Sequence, residues 1–225
     1  MDKLKIVYIN LAKRVDRKKN ILEQFEKINV SNVERFEAIE TSFGGLGCCQ
    51  SHISILDDFY KSNTVEINGM VYGESNDMIM VLEDDAEFMV SRESLDKYIN
   101  EFVSSKAYGM CLGFNPHILH KYNDIFHRAI KVATTSCYVV KLEMIPVLLE
   151  CFRKAEVGLR EVNKIMERTN GEFTKEVSVK YHACAIDQVW GGIHGEYLWV
   201  VPHKKCVEQY ANYSDIFKKH INNRY

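Results

Sequence analysis

Three consecutive carboxylates, Glu83, Asp84 and Asp85, end the apolar run MIMVL, and Glu87 follows two residues later. Carboxylates held a few ångströms apart repel one another, so their clustering points to a cation that neutralises them. Oxygen-only ligands favour Mg2+ or Mn2+, ions that bridge to substrate phosphates and keep part of their shell as water. Side chains alternate along a strand, which predicts Glu83 and Asp85 on one face and Asp84 opposite unless the backbone turns. The competing reading is structural: a charged strand end ahead of a helix cap in Ser91–Ser94.

Other residues suit the same chemistry. In NLAKRVDRKK, Arg14 and Arg17 stand in a strand-to-helix turn, where guanidinium forks and a helix N-terminus favour a phosphate. In GGLGCCQSH, Gly44, Gly45 and Gly47 permit close backbone approach to a ligand just before Ser51 and His52. TTSCYVV brings three small hydroxyls to the start of a strand, suited to a polyol or simply to β structure. AIDQVWGG sets Asp187 beside Gln188 and near Trp190. A carboxylate next to an indole suits a sugar site, the acid taking a hydroxyl proton; a purely structural tryptophan is the equal alternative. His203, after a late strand, is a candidate third metal ligand. Cys48-Cys49, His182/Cys184 and His203/Cys206 lack paired zinc spacing, so the seven cysteines are expected to be inert thiols of a reducing compartment.

The elements that must position these groups read as an α/β chain. KIVYIN (Lys5–Asn10) is a buried strand, and the following segment repeats Val15, Ile21, Leu22, Phe25 and Ile28 at helical spacing. VERFEAIE reads as a second strand. The glycine-rich turn then leads into a helix carrying Ile53, Leu56 and Tyr60 on one face. Asn68-Gly69 signals a type I′ hairpin followed by a polar loop. MIMVL is the central strand, and SLDKYINEFVSS is a helix with Ser94 as its candidate cap. GMCLGF and KVATTSCYVVK read as strands, MIPVLLECFRKAEVGLREVNKIMERT as a helix with Pro146 near its start, and YLWVVP as the last strand. The tail after about Gln209 is expected to be loosely packed. Without repeat or linker, residues 1–225 read as a single domain.

Bulk properties narrow the classes. At 225 residues with 46% hydrophobic and 27% charged composition, the chain can bury a sizeable core. A formal net charge of -2 offers no general attraction to nucleic acid or anionic membrane. The first apolar run is too short for a signal or a span, which predicts a soluble, cytoplasmic protein that meets a membrane-attached substrate only peripherally.

In order along the chain, VYINLAKRVDR, GGLGCCQSHISI, MVLEDDAEF, TTSCYVV, DQVWGG and EQYANYSDI resemble glycosyltransferase family 25, which includes lipooligosaccharide and collagen hydroxylysine galactosyltransferases. The resemblance implies a GT-A-type, Rossmann-like domain with a central, mostly parallel sheet flanked by helices. It implies an inverting transferase using a UDP-sugar (galactose or glucose) and Mn2+ or Mg2+, acting on a glycan, glycoprotein or glycolipid acceptor, with lipopolysaccharide biosynthesis as one setting. By motif, Asn10, Arg14 and Arg17 hold the nucleotide. Gly47, Ser51 and His52 line the donor pocket, with Tyr138 as the aromatic beyond the hydroxyl cluster. Glu83, Asp84 and Asp85 bind metal, and Asp187 and Gln188 stand near donor sugar and acceptor, Asp187 as the base. Leu56 and Asp57 replace an expected aromatic, Cys49 and Gln50 stand where small or aliphatic residues are common, and the polar hairpin is an insertion. Two other classes compete: a sugar-nucleotidyltransferase, disfavoured by the glycine-free N-terminal turn, and a non-catalytic nucleotide-sugar or carbohydrate-binding protein.

Overall fold

The structure is a computed structural model that describes residues 4–68, 70–73, 77–217 and 219–221. The chain opens as β1 (Leu4–Asn10), α1 (Val15–Lys27), β2 (Glu34–Glu37) and α2 (Gly44–Asn63). A hairpin, β3 (Thr64–Ile67) and β4 (Met70–Gly73), precedes β5 (Met78–Glu83), β6 (Ala86–Phe88) and α3 (Arg92–Ser104). Then come β7 (Gly109–Cys111), β8 (Asn115–Lys121), β9 (Phe126–Ala133), β10 (Cys137–Lys141) and the long α4 (Ile145–Arg168). Three short helices, α5 (Lys175–Cys184), α6 (Ile186–Val189) and α7 (Gly191–Glu196), lead to β11 (Trp199–Pro202), β12 (Val207–Gln209), β13 (Asn212–Ser214) and β14 (Lys219–Ile221).

Eight strands form one sheet in the order β2-β1-β5-β10-β7-β11-β9-β8. The β1–β2, β1–β5 and β7–β11 pairs are parallel, whereas β10 runs against both β5 and β7, and β9 against both β11 and β8. The sheet is therefore mixed, with β9 and β10 alone reversed. Strand alternation sends residues to opposite sides: Val7, Ile9, Ile79 and Val81 enter one core, and Ile6, Tyr8, Met80 and Leu82 the other. The first core is covered by α2 and α4 through Ile55, Leu56, Leu148 and Phe152; the second by α1 and α3 through Ile21, Phe25, Leu95 and Ile99. Helices on both faces of a large sheet are the architecture the sequence pattern predicts.

Several local expectations change. The glycine-rich stretch is the first turn of α2 itself, because Gly47 lets the helix press against the Ile39 carbonyl, which any Cβ there would overlap. The buried side of α2 is built on Ile55, Leu56 and Phe59, while Ile53 and Tyr60 are only half-buried. Ser91, not Ser94, caps α3: its side chain accepts from the Ser94 backbone N–H. KVATTSCYVVK is not one strand. It breaks after Ala133, where Thr134 adopts φ 71°, and resumes at Cys137. That break starts the reversed strand β10. The β8–β9 hairpin was hidden by the polar, histidine-containing sequence of β8, whose side chains are mostly exposed. Pro146 stands in the first turn of α4, as expected. The β3–β4 hairpin forms with Asn68 at φ 53°; Gly69 and residues 74–76 lie outside the described residues. Beyond Gln209, β13 pairs with β14. Among the described residues no helix is long and apolar enough to cross a membrane.

Candidate functional site

β1 and β5 lie side by side in parallel, Ile9 opposite Glu83, so Asn10 and Asp84 emerge together at the carboxyl edge of the sheet. Open α/β sheets bind ligands at this edge. Here it opens into a cleft of about 610 Å3, lined by Arg17, Cys48, the three acids Glu83, Asp84 and Asp85, Thr135, Asp187, Gln188, Gln209 and Tyr213 among others.

The three acids do not alternate across the sheet. The backbone turns at Asp84–Asp85 before β6, and all three line the same cleft. Each has its own partners. Glu83 Oε1 accepts from Thr135 Oγ1 at 2.8 Å and lies 3.8 Å from His52 Nε2. Asp84 Oδ2 accepts from Asn10 Nδ2 at 2.7 Å, and its Oδ1 accepts from Arg17 Nη1 at 2.8 Å. Asp85 Oδ2 lies 3.5 Å from Arg17 Nη1, while Oδ1 accepts from Gln209 Nε2 at 3.3 Å. β12 pairs with β6, placing Gln209 opposite Ala86 and bringing it to the acids.

Arg17 is thus an internal counter-ion of the cluster. One guanidinium cannot balance three carboxylates. Burial raises Asp85 to about 7: Arg17 pulls it down, and Glu83 and Asp84 push it up. Asp84 is also raised, chiefly by burial. Burial raises Glu83 too, but His52, Thr135 and Arg17 outweigh it and hold this carboxyl below its usual range. The residual negative charge favours a cation nearby, but among the described residues the group whose ligand atoms all lie within 4.8 Å of one another is Cys48, His52 and Glu83, not the three acids.

Arg14 is engaged by groups other than the three acids. Its Nη1 donates to Asp215 Oδ2 at 2.5 Å and to the Tyr213 carbonyl at 3.1 Å, and it also forks onto Asp16. Arg17 Nη2 donates to the same Tyr213 carbonyl at 2.9 Å. The stretch around β13 is therefore tied across the first strand-to-helix turn, and Tyr213 to Phe217 line the cleft. Asp187, at the start of α6, lines the same cleft as the acids and accepts from Gln188 Nε2 at 3.1 Å. Burial raises its pKa, Gln188 opposes the shift and Glu83 adds to it.

Gly47, Ser51, His52 and Tyr138 support the site from beneath. Ser51 Oγ accepts from the Ile39 N–H at 2.9 Å and donates to the Gly47 carbonyl at 2.7 Å, pinning α2 to the loop after β2. His52 is fully buried; its Nδ1 lies 3.0 Å from the Tyr138 hydroxyl, and the two rings stack. None of these four lines the cleft. His203 is exposed, packs against His127 with 4.2 Å between centroids and the rings tilted by 42°, and does not line the cleft either.

Some cleft residues gave little sequence signal. Gln209 and Asp215 reach the site through strands too short to carry a pattern, and Arg35 donates to the Asn10 side chain from β2. The sequence alone reads Cys48 as an inert thiol, because Cys48-Cys49 lacks paired zinc spacing. With the helix starting at Gly44, its i, i+4 spacing to His52 becomes a readable signal. Cys48, His52 and Glu83 place ligand atoms within 4.8 Å of one another, the group of possible metal ligands found among the described residues. Compared with known proteins, the chain matches no family model and no curated protein, so the resemblance to glycosyltransferase family 25 rests on the quoted motifs alone.

Proposed function

We propose that the cleft binds a nucleotide-sugar and transfers its hexose, galactose or glucose from a UDP donor, to an acceptor hydroxyl with inversion, in a GT-A-type arrangement. The carrying observation is that Asp187 and the acid triplet, distant in sequence, line one cleft with Arg17. A cleft of about 610 Å3 also matches the usual size of a small-ligand site. Asp85 with Glu83 or Asp84 would hold Mn2+ or Mg2+, which when bound supplies charge stabilisation for the diphosphate leaving group. Arg17 offers a guanidinium to the same phosphates once its hold on the acids is shared. Asp187 takes the acceptor proton, and the burial that raises its pKa makes it a stronger base near neutral pH. Ser51, His52 and Tyr138 are positioning residues that fix α2 and the strand end beneath the donor.

The test is thermal unfolding with UDP-, GDP- and CMP-sugars, with and without Mn2+. A UDP-hexose at 100 times its Kd adds about 2.7 kcal/mol of stability, and the shift is larger with Mn2+. No response to any nucleotide-sugar contradicts the proposal. One observation favours a second reading, a binding protein without turnover: both Asp84 oxygens are already engaged by Asn10 and Arg17. Donor hydrolysis in the presence of Mn2+ separates the two, since only the transferase turns the donor over.

A further inference from the structure

We propose that Cys48, His52 and Glu83 form a site for one zinc-class transition-metal ion at the floor of the cleft. This inference stands on its own geometry and does not depend on glycosyl transfer.

Cys48 and His52 are four residues apart on α2, so both side chains leave the same face of the helix. That face meets the end of β5, where Glu83 turns into the cleft. The three ligand atoms lie within 4.8 Å of one another, with His52 Nε2 and Glu83 Oε1 already at 3.8 Å. Zinc bond lengths set tetrahedral ligand atoms roughly 3.3–3.6 Å apart. Reaching that spacing asks the Cys48 and Glu83 ligand atoms to move by no more than about 1.5 Å.

The second observation is His52 itself. The residue is completely buried, and its Nε2 has no hydrogen-bond partner among the described residues. Buried polar nitrogens are normally satisfied, and each exception calls for a reason. Here the Tyr138 hydroxyl, 3.0 Å from Nδ1, supplies one. In the metal-bound state the ring proton sits on Nδ1 and is donated to Tyr138, so that the Nε2 lone pair faces Cys48 and Glu83; without metal, an Nε2–H faces Glu83 from 3.8 Å and helps to hold that carboxyl down. Holding the far ring nitrogen is how proteins orient a metal-binding imidazole.

The donor set selects the ion. A thiolate, an imidazole and one carboxylate suit Zn2+ and its relatives Co2+ and Fe2+, whereas Mg2+ and Mn2+ prefer oxygen alone. Cys48 and Glu83 line the cleft while His52 lies behind them. The fourth position therefore faces the cleft and is open to water or to a ligand, as in zinc sites that act on ligands rather than in closed structural ones.

The experiment strips the full-length protein of metal and titrates it with Co2+, whose thiolate complexes absorb in the near ultraviolet. One equivalent should give the cobalt–thiolate band, and one equivalent of Zn2+ should abolish it. Cys48→Ser and Glu83→Gln should each lose the site, the second without touching α2, while Cys151→Ser keeps it. Tyr138→Phe should weaken Zn2+ binding by about 10–100-fold, the effect of losing the partner that orients a histidine ligand. Absence of the band in the parent protein, or its persistence in folded Cys48→Ser, overturns the proposal and leaves His52 and Glu83 a simple polar pair. A Mn2+ site at the acids alone gives no thiolate band, so the two metal readings fail independently.

Discussion

Replacing Arg17 with methionine keeps much of the side chain's length and removes the guanidinium 2.8 Å from Asp84 and 3.5 Å from Asp85. At an effective dielectric of about 20, each contact is worth on the order of 4–6 kcal/mol before desolvation. Taking the guanidinium out of water cancels much of this, but the carboxylates remain. They are buried, and Glu83 stands beside them. Removing one partner of a buried ion pair costs about 3–5 kcal/mol, because the remaining charge is left without compensation. Arg17→Met should therefore lose about that much stability in urea unfolding at neutral pH in a metal chelator. Millimolar Mn2+ should restore more stability to the variant than it adds to the parent, since the ion replaces the missing positive charge. A loss below about 1 kcal/mol, the worth of an exposed pair, refutes the view of Arg17 as the buried counter-ion. A full loss without Mn2+ rescue refutes the cation site but not the ion pair.

Three other outcomes follow from the same structure. Asp187→Asn should lower sugar transfer by about 10²–10⁴-fold with little change in donor binding, the split expected on losing a general base; steady-state kinetics read both. Gly47→Ala should cost about 1–3 kcal/mol in denaturant unfolding, because the new methyl overlaps the Ile39 carbonyl where α2 packs on the loop after β2. His194 is buried between Trp190 and Trp199, and burial lowers its pKa to about 3. The unfolded chain therefore binds the His194 proton first as pH falls from about 6.5 towards 3. Stability drops by up to about 1.4 kcal/mol per pH unit across that window, and His194→Phe should flatten this part of the stability profile.

The sheet and its helices were readable because β1, β5 and α4 carry strong patterns: continuous apolar runs for strands buried on both faces, and a sustained 3.6-residue period in α4. The acids stood out because three charges end an apolar run, with a structural strand end as the competing reading; the structure gathers all three into one cleft. The counter-ion was not. Sequence placed Arg14 and Arg17 together as phosphate ligands, and only the packing of α1 against β6 shows Arg17 turned to the acids and Arg14 turned to Asp215. The strands β8, β12 and β13 were missed for a physical reason: each is short or exposed, so its residues are set by a neighbouring strand and not by a core-facing period. Thr134 broke an expected continuous strand because one left-handed backbone conformation outweighs a favourable β composition. His203 looked suitable by its place after β11, yet strand position alone did not specify which way its ring would turn.

The most direct measurement is Mn2+ binding by electron paramagnetic resonance, with and without a UDP-hexose, on the parent protein and on Asp85→Asn. One bound ion, held more tightly when the diphosphate is present and lost in the variant, is the predicted result. Free Mn2+ at every protein concentration, or binding that ignores both the nucleotide and Asp85, contradicts it.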